Sequence, residues 1–140
     1  MILPTIKIFA AINDSNSEFY YPNLMMRYKA GEPLTDEQYH YLYYGYAYQA
    51  AYRPLNDNPG MTKVQNIMAR IAIDTPSVVD IDQLIAACTE AMEYDPSSPK
   101  LLNIMAYAYG TAGDTAREKV YADHLAAILR TIASSGTGIK

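Results

Sequence analysis

Two histidines, one cysteine and fourteen tyrosines are the side chains of this 140-residue chain with the most scope for chemistry. Cys88 would be the nucleophile, but Leu84 and Met92 flank it one helical turn away, in the middle of an apolar arc. A thiol in that setting behaves as a small hydrophobe, whereas a reactive thiolate needs an exposed, electropositive site. His124 lies between Val120 and Ile128 and reads as a core or edge histidine. His40 has Asp36 and Tyr44 one turn to either side. That spacing could hold a proton carrier, yet its own helix offers no nucleophile and no second acid. Asp80 and Asp82 project about 160° apart on a helix, so they are not a carboxylate pair. Two histidines on distant helices and one buried cysteine have no metal-ligand spacing. No glycine-rich phosphate loop and no nucleophile elbow is present. No catalytic residue, metal or cofactor is therefore expected, and the chain reads as a non-catalytic protein.

The tyrosines point elsewhere. Seven of the fourteen fall between Thr35 and Tyr52. At 100° per residue, Tyr39, Leu42, Tyr43, Tyr46 and Ala50 share one side of a helix, and Tyr41, Tyr44, Tyr48 and Tyr52 lie around the other. The first side is enough to seat the helix on a core. The second side, continued by Arg53, is the candidate binding surface, because Tyr and Arg on a rigid element make efficient anchors. A buried phenol needs a partner for its hydroxyl, so some of these rings should reach the surface. The competing reading is a Tyr-rich core in which Phe9, Phe19 and Tyr28 of the N-terminal helices interleave with Tyr41, Tyr48 and Tyr52.

The elements that would position these residues are helices throughout. Thr35 and Gln38 form a capping box, Asp36 and Glu37 suit the positive end of the helix dipole, and the helix is expected to run from Thr35 to Tyr52, roughly 27 Å. Gly45, its one glycine, reads as a close-contact position. Before it, residues 4–14 and 22–28 read as short helices, with Gly31 and Pro33 closing the second. After it, the Pro54 to Gly60 breaker gives a long loop. Four more helices follow: residues 61–73; a helix capped by Asp80 that presents Ile81, Leu84, Ile85, Cys88, Ala91 and Met92; Pro99–Ala112; and Thr115–Ala133. Gly113-Asp114 is the tight turn between the last two. No segment alternates with period 2. The fold class is all-α, about seven helices in one domain, with residues 134–140 as a tail.

Composition bounds the partners. Half the residues are hydrophobic, and 15 acidic against 11 basic residues give a net charge of -4. With no basic stripe, nucleic acid is not an expected partner. No apolar run reaches a membrane span, and one cysteine excludes an internal disulfide. The N-terminus lacks a signal peptide's basic start and small-residue cleavage site, so the chain as it stands reads as cytoplasmic, or as exported if a signal lies outside it.

The order Leu84, Cys88, Ala91, Pro96, Leu102, Met105, Ala106, Tyr109, Gly113-Asp114 resembles the tetratricopeptide pattern, in which small residues let paired antiparallel helices pack closely. Glu118 departs from it, standing where the pattern wants Ala. The resemblance implies stacked helical hairpins in a degenerate right-handed superhelix. At the front, Tyr20-Tyr21-Pro22-Asn23-Leu24, Arg27-Tyr28, Gly31, Leu34-Thr35, Glu37-Gln38-Tyr39 and Leu42-Tyr43-Tyr44-Gly45 resemble the signature of a bacterial domain-of-unknown-function family, mainly from Bacteroidetes. That resemblance implies a fold and no activity; members typically carry an export signal. The expected function is a protein- or peptide-interaction module. The alternative is small-molecule or glycan binding through a Tyr-rich pocket.

Overall fold

The computed structural model describes residues 5–49, 58–73 and 75–135. Among them are seven α-helices and no strand, the all-α class that the helical spacing predicts. They fall into two compact units: one holds the N-terminal helices with the end of the last helix from residue 126, and the other holds the remaining helices up to residue 125.

In the first unit, α1 spans Thr5–Ile12, α2 spans Tyr21–Lys29 and α3 spans Asp36–Gly45. Pro22 sits in the first turn of α2, where its missing N–H is no loss. Gly31, at φ 77°, closes α2. Its N–H reaches the Tyr28 carbonyl at 3.1 Å, and the Glu32 N–H reaches the Arg27 carbonyl at 2.9 Å. This is the paired closure that a left-handed glycine permits. The capping box of α3 forms as its sequence predicts. Gln38 N–H donates to Thr35 Oγ1 at 3.0 Å, and Thr35 N–H donates to Gln38 Oε1 at 2.9 Å.

The long Tyr-rich helix is shorter than its sequence suggests. It tightens to a 3-10 turn at Tyr46–Tyr48, and Gln49 turns extended at ψ 147°. The Gln49 N–H bonds the Tyr46 carbonyl at 3.0 Å. Its side-chain Nε2 donates to the Gly45 carbonyl at 3.2 Å, in place of the backbone donor that a continuing helix would supply. Gly45 is a close-contact position, since a Cβ there would lie 3.1 Å from Ile12 Cγ2 and 3.4 Å from Tyr21 Cδ1. Ile8, Ile12, Leu24, Tyr28, Tyr39, Tyr41 and Leu42 are buried in this unit, as are Ala127 and Ile128.

In the second unit, α4 spans Pro59–Ile73, α5 Val78–Met92 and α6 Pro99–Thr111, followed by α7, Thr115–Ser135. Their core joins Val64, Ile67, Ile81, Leu84, Cys88, Leu101, Ile104 and Met105. Ser77, not Asp80, is the N-cap of α5. Its hydroxyl accepts from the Asp80 N–H at 3.1 Å, and the Asp80 carboxylate accepts from the Ser77 N–H at 3.1 Å. Asp80 thus closes the box from the third helical position, and those bonds hold its carboxyl below the ordinary range, with Arg70 assisting. The α6–α7 turn follows its prediction. Gly113 adopts φ 84°, and Asp114 Oδ1 accepts from the Arg117 N–H at 3.1 Å.

Helix α4 crosses α5 at close backbone approach. A Cβ built on Gly60 would stand 2.3 Å from Ala91 N and 2.7 Å from Ala91 Cα. Asn58 fixes the approach: its Nδ2 donates to the Ala91 carbonyl at 3.0 Å, and its Oδ1 accepts from the Met61 N–H at 3.3 Å.

Candidate functional site

The Tyr-rich segment divides its rings between core and surface. Tyr39, on the seating side of α3, is buried and meets Tyr28 edge-on at 6.4 Å. Tyr41 does not reach a binding surface. It is 1% exposed, and its ring stacks on Phe19 at 3.9 Å and 10°. The segment between α1 and α2 delivers Phe19 to the second side of α3, so that side is partly covered. Burial pushes the Tyr41 phenol above its ordinary range, and the carboxylates of Glu37 and Glu18 add to the effect. Tyr44 is half-buried and packs edge-on against Tyr43 at 5.0 Å. Tyr52 and Arg53 lie outside the described residues.

Among the described members of the candidate set, Tyr48 is the one that faces solvent. It is 38% exposed and meets Phe9, 52% exposed, with ring centroids 5.6 Å apart at 68°. One ring comes from α1 and the other from the 3-10 turn after α3. The shortening of α3 therefore changes the direction in which Tyr48 points, and an aromatic edge pair stands on the surface of the first unit. Arg27 is committed elsewhere, donating through Nη2 to the Pro33 carbonyl at 2.6 Å and lying 3.4 Å from Glu32.

His40 has a partner that its own helix could not reveal. Ser134, near the end of α7, places Oγ 3.0 Å from His40 Nε2. The same hydroxyl donates to the Thr131 carbonyl at 3.1 Å. Which of Ser134 Oγ and His40 Nε2 donates is set by the imidazole tautomer. The other ring nitrogen, Nδ1, is buried and has no hydrogen-bond partner. Alongside, Arg130 of α7 pairs with Asp36 of α3 at 3.1 Å.

In the second unit, Cys88 is fully buried, and burial pushes its thiol up to about 12, far from the thiolate that chemistry would require. His124 is also buried, edge-on to Tyr121 at 6.1 Å. Tyr121 stacks on Tyr109 at 5.7 Å, and Arg117 lies over the Tyr109 ring at 5.8 Å. A groove of about 360 Å³ runs between α4 and α5 over Ile67, Ala86 and Ala87, flanked by Lys63, Asn66, Gln83 and Glu90. Lys63 and Glu90 bridge it at 2.8 Å. Among the described residues, no three His, Cys, Asp or Glu side chains converge as metal ligands, and no helix is long and apolar enough to cross a membrane.

Fold and surface together define an all-helical protein with close-packed helix pairs in one unit and an aromatic-rich helical cluster in the other. The chain belongs to the family described as Domain of unknown function (DUF4919), which matches residues 6–140. No curated protein and no solved structure matches it.

Proposed function

We propose that this protein is a non-catalytic helical-repeat module that binds a protein or peptide partner, with Phe9 and Tyr48 as the aromatic anchor. The observation that carries this reading is that pair of exposed rings, in edge contact at 5.6 Å on two different elements. Aromatic side chains held on rigid backbone give up little conformational entropy on binding and are enriched among the residues that dominate interface energies.

The finer architecture is a degenerate tetratricopeptide-like stack within a single bacterial domain. In support, α5 packs on both α4 and α6, and the α4–α5 crossing is made close by Gly60 against Ala87 and Ala91. Small residues at the crossings of successive antiparallel helices are what such a stack needs. Selection from a random peptide display library, run beside a glycan array, tests the function. Enrichment of peptides that bind the wild type and lose affinity for Phe9→Ala/Tyr48→Ala supports the reading. Glycan binding with no peptide enrichment favours a carbohydrate site instead.

A further inference from the structure

We infer that His40 is a pH-sensitive latch: while its ring is neutral it ties the last turn of α7 to α3, and proton uptake at its buried Nδ1 releases that turn. Polar contacts between these elements include His40 to Ser134 at 3.0 Å and Asp36 to Arg130 at 3.1 Å. The first is made by a titratable group whose second nitrogen is enclosed.

In the latch, neutral His40 carries its proton on Nε2, because Nδ1 is buried with no acceptor for an N–H and keeps only a lone pair there. The cationic ring must place an N–H at that same buried position, where no acceptor stands. A buried donor without a partner is costly, more so when it carries charge. The groups that act on the ring come from both helices. On α3, Asp36 and Glu37 lie one turn before it and favour the cation, and Tyr44 stacks beside it at 6.1 Å. On α7, Arg130 occupies Asp36 and so blunts the nearest of those carboxylates. Burial, the largest influence on the ring, lowers the His40 pKa from its ordinary 6.5 against the pull of the carboxylates.

The sense of the linkage follows. With the docked pKa below the undocked one, the docked turn is fully favoured above about pH 6.5 and loses stability as pH falls below it. Released from α3, the ring titrates as an ordinary histidine. The equilibrium for opening the turn then rises by up to about tenfold per pH unit, until the docked ring also protonates.

Hydrogen exchange of the Arg130–Ser134 amides, corrected for intrinsic rates, measures that opening between pH 7.5 and 5.5 in the wild type and in His40→Gln. Glutamine can donate to Ser134 but does not titrate, and the variant keeps the Asp36–Arg130 pair and His124. The expected result is protection that falls several-fold in the wild type on acidification and stays flat in the variant. Equal pH responses in the two proteins would overturn the latch. Imidazole 15N and 13C NMR of the wild type gives an independent reading should the variant fail to fold. An Nε2–H tautomer titrating below 6.5 is expected; titration at or above 6.5, or an Nδ1–H tautomer, removes the mechanism.

Discussion

Gly60→Ala puts one methyl group into the close backbone approach of α4 on α5. The new Cβ would stand 2.3 Å from Ala91 N, 2.7 Å from Ala91 Cα and 2.9 Å from the Ala87 carbonyl oxygen. All three neighbours are backbone of α5, so no side chain can swing aside. Ordinary contact lies at about 3.5 Å or more, and α4 must therefore withdraw by roughly 1 Å. Withdrawal strains the Asn58 bond to the Ala91 carbonyl and opens the packing of Val64 and Ile67 on Leu84 and Cys88. Overpacking of this kind costs about 1–3 kcal/mol, and loss of the Asn58 bond adds about 1 kcal/mol. Alanine's better helix propensity returns less than about 1 kcal/mol, because residue 60 lies in the first turn. A net loss of about 2 kcal/mol is expected, or roughly 6–10 °C in the melting midpoint for a chain of this size. Gly110→Ala is the matched control. Its nearest neighbour is the Glu118 carboxylate at 2.6 Å, the far end of a flexible side chain. That variant should melt within about 2 °C of wild type, because helix propensity offsets the displaced carboxylate. Thermal unfolding followed by circular dichroism decides both. A Gly60→Ala variant as stable as wild type would refute the close backbone crossing.

Tyr41→Ala should cost about 3–5 kcal/mol, the usual range for truncating a buried aromatic, whereas Tyr41→Phe keeps the stack on Phe19 and should cost less than about 1.5 kcal/mol; urea denaturation measures both, and a mild alanine effect would mean that the ring faces solvent. Cys88 should resist a thiol reagent in the folded protein and react only through unfolding, since the side chain is fully buried and its thiol is pushed up to about 12; labelling at the rate seen in denaturant would contradict its burial.

Features written in a few neighbouring residues were legible in the sequence. Thr35 with Gln38, Gly113 with Asp114, and the arc from Ile81 to Met92 each carry a complete local signal, and each appears as read. Ser77 carries a weaker signal, because its box closes with Asp80 rather than with the Glu or Gln that marks the motif, and the sequence pattern places the cap three residues late. The end of α3 had no breaker to announce it. Gly45 alone is tolerated inside a helix, and the stop is made by the Gln49 side chain taking the Gly45 carbonyl. The candidate site suffered most from distance along the chain. Phe19 lies 22 positions before Tyr41, and Ser134 lies 94 positions after His40. Helical projection could divide the tyrosines into two sides, but it could not say which side another segment would cover. Tyr41 and Tyr48 consequently looked equivalent, yet one is core and the other surface.

The affinity of a display-selected peptide for wild type and for Phe9→Ala/Tyr48→Ala, measured by fluorescence anisotropy, tests the proposed function most directly. Both rings are exposed, so the double variant should unfold within about 1 kcal/mol of wild type. If the pair is the anchor, its removal should cost at least about 2 kcal/mol of binding, a weakening of roughly 30-fold. Affinity kept within threefold in a folded double variant, or the failure of selection to yield any peptide that binds, would contradict the interaction surface.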